Sequence, residues 1–486
     1  MTLPQPRRPE QPVVGRDTSA AARGAVATLA PPVPAGDVDQ LRAAVHGPVY
    51  AAGDDGLAAE VATWNVAVRH TPAIAVGATC AADVATAVSW AVAHGLGVAV
   101  QATGHGPVRD AAGSMMITTR RMQGLFIDPE RRTARVEAGV TWQRVMEAAA
   151  EFGLAGLCGS SSGVGVVGYT LGGGMGSLGR KYGFAADAVR AVEIVTADGR
   201  QRTLSADSEP ELFWAVRGGK GNFGIVTALE IELVPLGGLY AGGIFFAGED
   251  MAAVLHAFRE WAPTLPDEVS TSIAVLRLPD FEFLPPPLRG QTAVHLRYAY
   301  SGTSVREGER LIAPMQDVGR VLLGFVGHIR TDEMDSIHMD PVDPLPAWEK
   351  GQLLTGLPEE AVDALLAVAG PQAEIPLMMV EIRLLGGALS RPAAVPNAVP
   401  GRDAAFSMFV LGPGVPELAE VVPAVGRAVL GALAPWKSPG SLINFLGDVS
   451  GPEEVAAAYP PGVYERLAAV KAAVDPDRVF SFGHAF

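Results

Sequence analysis

Hydrophobic positions along the chain change period repeatedly, and each change marks an element. Val84, Ala87, Val88, Ala91 and Val92 recur at three- and four-residue intervals, which places them on one face of a helix over residues 81–94 that Gly95 ends. A shorter helix over 37–45 precedes it, with Asp37 as a candidate N-cap. Short apolar runs at 71–76, 98–100, 115–117, 125–127, 133–138 and 189–196 read as strands. A helix opens near Gly139 and Thr141 with Val145, Ala148, Ala149 and Phe152 facing inward. Asp198-Gly199 is a hairpin turn after the 189–196 strand. Residues 211–214 form a short helix and 225–234 a long strand.

The texture changes after Pro235. Strands at 270–278, 292–300, 377–385 and 404–410 alternate with helical stretches around 252–261, 305–315, 358–367 and 417–432. That order predicts one α+β unit on an antiparallel sheet. Residues 341–348 read as a loop. A helix over 463–473, the breaker Asp475-Pro476 and a last strand at 479–482 close the chain. The divisions are a loose Pro/Ala/Gly-rich arm over 1–35, a first domain over 36–235, a second over 236–435, and a closing segment over 436–486. No 20–50-residue repeat is present.

Composition narrows the function classes. Hydrophobic residues make up 49% and charged residues 18%, so the chain folds rather than staying disordered. A net charge of −15 argues against nucleic acid and anionic membranes as partners, which need Lys and Arg. Two cysteines, Cys80 and Cys158, supply neither a disulfide framework nor a zinc site. No apolar run reaches the roughly 18–20 residues of a membrane helix. Arg7-Arg8 leads into Pro and Glu rather than an apolar leader, so the cytoplasm is the default compartment.

Two stretches carry candidate chemistry. Between Gly153 and Gly179, 11 of 27 residues are glycine, which no packed helix or strand favours. Such runs bring backbone N–H groups up to phosphates and flat cofactor rings. Upstream, Thr103-Gly104-His105-Gly106 presents a histidine between glycines at a strand end. Its imidazole could be a buried structural group, a base or a covalent cofactor anchor, and no second ligand at metal spacing accompanies it. Cys158 reads equally as a nucleophile or a small apolar residue. Gly174-x-Gly176-x-x-Gly179, with Asp198 about 20 residues on, also fits a dinucleotide fingerprint, so an NAD(P)-dependent dehydrogenase is an alternative.

ATGHG, ARVEAG, GLCGSSSGVGVVGYTLGGGMGSLGRKYGFAADAV, ELFWAVRGGKGNFGIVT and the closing INF and VYERLAAVKAAVDPDRVFSF recur in order from about residue 65 to the end. Together they resemble the berberine-bridge-enzyme-like FAD-linked oxidases, which carry a p-cresol-methylhydroxylase/vanillyl-alcohol-oxidase-type FAD domain. The resemblance implies an α+β fold: a two-part FAD-binding domain completed by the C-terminus, and an inserted substrate domain. It implies an FAD-dependent oxidase that transfers hydride from a C–OH or related centre of a small molecule to the flavin, with O2 as acceptor. His105 would carry the FAD covalently, in a pyrophosphate loop of Thr103, Gly104, Gly106 and Pro107. Ser160, Ser161, Val164, Gly165, Gly168, Tyr169, Gly172, Gly173 and Gly174 would line another side, and Gly221, Gly224, Ile225, Val226 and Asn444 the remainder. A non-catalytic flavin-binding module is the further alternative.

Four positions qualify the resemblance. Ser161 stands where bicovalent members have a flavin-linking cysteine, so a single link is expected. Gln101 replaces the arginine before the histidine motif. Leu442 replaces a tyrosine that commonly assists substrate deprotonation, so the base must lie elsewhere. Val164 at the oxygen-gating position resembles the oxidases. Glu381 and Arg383 share one strand face and are the first substrate-side candidates. His295 and Arg297, with Tyr298 and Tyr300 on the opposite face of their strand, are the next.

Overall fold

The computed structural model describes residues 34–486. The arm expected over 1–35 lies outside the described residues except for its last two positions, and Ala35 already opens the helix Ala35–Ala44. Pro34 occupies the N-cap there. Asp37 sits in the first turn, where a carboxylate favours the helix dipole without capping it.

Among the described residues, the first part holds two larger sheets and a two-stranded pair of Leu154–Ala155 with Val234–Pro235. One larger sheet has the spatial order Val49–Ala51, Ile74–Gly77, Met115–Thr118, Val98–Gln101, and its last two pairings are parallel. The other is antiparallel, in the order Leu125–Asp128, Thr133–Glu137, Ile225–Glu232, Val189–Val195, Gln201–Ser205. Asp198-Gly199 turns the last hairpin, with Gly199 at φ +71° and Asp198 Oδ1 accepting the Thr196 hydroxyl at 2.6 Å. The helix Ala81–Ala93 buries Val84, Ala87, Val88 and Ala91, but Val92 is 40% exposed because it lies at the edge of that face. Phe152 is likewise exposed, since the helix Trp142–Ala150 ends before it.

The second part is an eight-stranded antiparallel sheet. Its order is Val321–Ile329, Leu239–Ala247, Thr292–Tyr300, Val269–Arg277, Met379–Leu384, Phe406–Pro413, Ala347–Leu354, Lys437–Ser438. The four strands that the sequence predicts are the central four. One face is the core, where Ile244, Phe246, Tyr298, Val380 and Met408 pack under the helices Met251–Trp261, Val305–Gln316, Glu359–Ala369 and Val421–Ala432. Strand alternation sends the residues between them to the other face. There Arg297, Ser272, Arg383 and Ser407 form one cross-strand row, and His295, Ala274, Glu381 and Phe409 the next.

The closing segment crosses back to the first part. Lys471 Nζ donates to Asn222 O at 2.6 Å and Phe480 O at 2.7 Å, and it pairs with Asp475 at 2.5 Å. Residues 479–482 form no strand: Val98 N–H donates to Val479 O, with no ladder beyond that bond. Among the described residues, no helix is long and apolar enough to cross a membrane.

Candidate active site

A cavity of about 1770 Å³ lies where the face of the large sheet opposite its core meets the glycine-rich loops. A single small-molecule pocket measures roughly 300–1,000 Å³, so this one has room for a dinucleotide and a second molecule. Thr103, Gly104, His105, Gly106 and Pro107 form one wall. Ser160, Ser161, Val164, Gly165, Gly168 and Tyr169 form another, and Gly221, Gly224, Val226 and Asn444 a third. The chain thus brings together stretches more than 300 residues apart.

The strand Val98–Gln101 aims the chain into the histidine loop. Gly104 must be glycine: its φ is +74°, and a Cβ there would lie 2.7 Å from Thr63 Cα. The turn sets His105 against Trp64, rings stacked with centroids 4.6 Å apart, and puts Nδ1 2.8 Å from Thr103 Oγ1. Burial disfavours the charged ring and pulls its pKa down to about 4, so the imidazole is neutral at pH 7. Gln101 packs its amide against Gly104, donating to Ala62 O at 2.9 Å and lying 3.2 Å from His70 Nε2.

The glycines divide into two kinds. Gly106 and Gly168 line the cavity, and a Cβ on either would meet no protein atom within 4 Å. Gly221 faces only Val100, at 3.8 Å. These positions leave bare backbone toward the cavity, the surface a diphosphate or flat ring requires, so the cradle fits FAD. Gly172, Gly173 and Gly174, expected beside them, lie off the cavity and are packed by the chain itself. A Cβ on Gly172 would stand 2.0 Å from Asn444 Oδ1, and one on Gly174 would stand 2.5 Å from the Tyr169 ring. Asn444 locks this arrangement by donating to Tyr169 O at 2.8 Å. Ile225 is fully buried in its strand and also does not reach the cavity.

Cys158 belongs to the core, with its thiol pushed far up by burial, and it is not a wall residue. The dinucleotide fingerprint fails on structure. A helix, Val166–Leu171, and not a strand leads toward Gly174, and Asp198 spends its carboxylate on Thr196, Arg200 and Arg202 in the hairpin turn.

The floor corrects most of the substrate-side expectations. Arg383 lines the cavity. Glu381 does not: it lies beneath, fully buried, accepting from Ser272 Oγ at 2.8 Å, Arg383 Nε at 2.7 Å and Arg297. Burial alone would raise its carboxyl, but the Arg383 and Arg297 charges overcome that and hold it down to about 2. A carboxylate so held is a clamp for two guanidiniums, not a base. His295 is also buried beneath the wall, stacked on Phe245 with Nδ1 accepting from Arg297 Nε at 3.2 Å. Tyr298 faces the opposite way, into the core, and donates to Gly308 O at 2.9 Å.

Four wall residues carry no sequence signal strong enough to single them out. His338 is buried on the wall, its Nδ1 lacks a partner, and burial and the nearby arginines hold its pKa well below the usual range. Asp340 stands 3.8 Å from Arg297. Lys220 and Glu349 face the cavity from the two parts. Burial lowers the Lys220 ammonium to about 8 and raises the Glu349 carboxyl to about 7, each partly offset by the charge of the other. Ser162 fixes the two parts in register, giving its N–H and hydroxyl to Asp335 at 2.8 and 2.5 Å, three residues before His338. Apolar residues dominate the mouth, where Leu278, Phe281, Phe283, Leu284, Val342 and Ile375 stand beside Arg277, Gln291, Asp343 and Glu374, and Phe283 is 78% exposed.

A family model described as an FAD binding domain matches residues 72–205. The (R)-6-hydroxynicotine oxidase of Paenarthrobacter nicotinovorans is 29% identical over 454 residues, which cover 90% of this chain and 95% of that protein. The crystal structure of 6-hydroxy-D-nicotine oxidase from Arthrobacter nicotinovorans matches with a TM-score of 0.76 at 27% identity, over 90% of this chain and 97% of that one. A berberine-bridge-enzyme-like protein of Physcomitrella patens shares the fold, with a TM-score of 0.76 at 18% identity over 92% of this chain and 98% of that one. The chain is an FAD-linked oxidoreductase that carries an FAD-binding domain over residues 72–205 and is similar along most of its length to a nicotine oxidase.

Proposed function

We propose that the chain is an oxidase for a small, largely apolar molecule, acting at a carbon that bears a hydroxyl or an amine nitrogen, with FAD linked through His105. The observation that carries this reading is a neutral histidine on a wall of bare glycine backbone, opposite a polar floor with a mostly apolar mouth. Bound FAD supplies the acceptor for the hydride that leaves the substrate carbon, and O2 takes the two electrons on as H2O2. In the tautomer that gives Nδ1–H to the Thr103 hydroxyl 2.8 Å away, His105 keeps its Nε2 lone pair for the covalent bond. Ser161 and the buried Cys158 leave that bond as a single link.

On the substrate side, Arg383 and His338 are the polar contacts at the floor. Glu349 takes the hydroxyl or ammonium proton, because a carboxyl near 7 is suited to proton transfer at neutral pH. The proline- and phenylalanine-rich mouth offers few partners for a sugar's hydroxyls, each of which would cost about 1–3 kcal/mol if buried unpaired. A nitrogen centre on an apolar ring compound, as in the name of the nicotine oxidases, suits it better.

Acid precipitation tests the cofactor assignment. Yellow colour should stay in the pellet of the parent protein and move to the supernatant with His105→Ala. A colourless purified protein would overturn the reading. Anaerobic bleaching by apolar amines or alcohols, and not by sugars, tests the substrate side.

A further inference from the structure

Lys220 occupies a backbone conformation that belongs to glycine. Its φ is +56° with ψ −150°. Glu209 and Met339 also have positive φ, but they sit in the left-handed helical well, at ψ 54° and 38°. Lys220 does not: a Cβ at its dihedrals crowds its own backbone, and such residues persist only where the surroundings hold them. Four glycines surround it in Gly218-Gly219-Lys220-Gly221 and at Gly224, so glycine is readily accommodated in this loop.

The strain delivers a charge to a definite place. A Cβ built on Gly172 would lie 2.7 Å from Lys220 Cε and 2.0 Å from Asn444 Oδ1, so the lysine stem runs over the Gly172 backbone beside Asn444. Among the described residues Nζ makes no hydrogen bond and no ion pair within 4.0 Å, although the residue lines the cavity. Glu349 acts on it across the cavity without touching it. The neighbouring backbone at Gly221 is the bare surface described above. An unpaired ammonium in a buried cavity is costly, and an anion arriving there removes that cost.

We infer that Lys220 is a cofactor-holding residue: its glycine-like backbone places an ammonium on negative charge of the bound dinucleotide, either the diphosphate or the ring when reduced. The inference rests on the FAD reading of the cavity. It predicts two separable effects, one of the charge and one of the strain.

Lys220→Gly removes both charge and strain, and Lys220→Met removes only the charge. In a His105→Ala background, where FAD is free to dissociate, both variants should weaken FAD binding about tenfold, read by flavin fluorescence, if the charge serves the diphosphate. In the covalently loaded protein both should instead lower the two-electron midpoint potential by about 30 mV, the tenfold equivalent, if it serves the ring. Either shift supports the inference and identifies the anion. The Gly variant should also melt about 1–3 °C above the Met variant, because only glycine relieves the backbone. FAD affinity and potential within twofold of the parent in both variants would overturn the role of the charge. Equal melting temperatures would overturn the strain. A parent protein that neither carries nor binds FAD would instead overturn the cofactor reading itself.

Discussion

A glycine can be required by a ligand or by its own chain, and Gly106 and Gly176 separate the two. A Cβ on Gly106 would point into open cavity, and one on Gly176 would stand 1.7 Å from the Cys158 carbonyl oxygen. Gly106→Val should therefore leave the urea midpoint nearly unchanged while abolishing flavin retention, because the side chain fills the cradle. Gly176→Ala should cost about 1–3 kcal/mol or more in the same melts, since backbone cannot give way as a side-chain tip can. A Gly106→Val protein that retains normal flavin would remove that wall from the cofactor site. The same distinction explains why the glycine run was only half legible. Its composition announces close approach, but composition cannot say whether the glycine faces open cavity, as at Gly168, or the Tyr169 ring, as at Gly174.

At the scale of elements, the charged rows on the large sheet are held by one carboxylate. Glu381 is buried between Arg297 and Arg383, and removing one partner of such a cluster leaves guanidinium charge uncompensated. Glu381→Gln should cost about 3–5 kcal/mol. The folded carboxyl lies below its unfolded value of about 4.5, so its stabilising contribution is complete above that pH. It is lost as pH falls from about 4.5 toward 2. Urea midpoints between pH 5.5 and 3 should fall more steeply for the parent than for Glu381→Gln, and parallel slopes would contradict the clamp. The pairing of Glu381 with Arg383 on one strand face was legible from their two-residue spacing. That they form a support rather than a base was not, because Arg297 joins them from another strand. The two strands that flank the central four were also hidden. Leu239–Ala247 contains Gly242-Gly243, which lets Phe325 of the next strand approach: a Cβ on Gly242 would lie 1.9 Å from the Phe325 carbonyl oxygen. Prolines at 341, 344 and 346 mask the start of Ala347–Leu354.

The whole molecule makes a site that neither part holds alone. His105 and Lys220 come from the glycine-rich loops, Glu349 and Arg383 from the sheet, and Asn444 from the returning C-terminus. Motif order along the chain pointed to the glycine-rich walls of the cavity. The substrate walls depend on strand order, which carries no motif: Glu349 is separated from Arg383 by 34 positions in sequence but by one intervening strand in the sheet. If Glu349 is the base, its protonation governs turnover. Burial holds its carboxyl near 7, so the reactive carboxylate fills as pH rises through that value. The rate of anaerobic flavin reduction by an amine or alcohol should therefore climb from pH 6 to pH 8 in the parent. In Glu349→Gln it should fall by about 10²–10⁴-fold and lose that inflection, because the amide cannot accept the proton. Lys220→Met should move the inflection upward, since Lys220 opposes the rise that burial imposes on Glu349. A Glu349→Gln protein with an unchanged rate and the same inflection would assign the proton to another group on the wall. The unpartnered Nδ1 of His338 would then be the next to substitute.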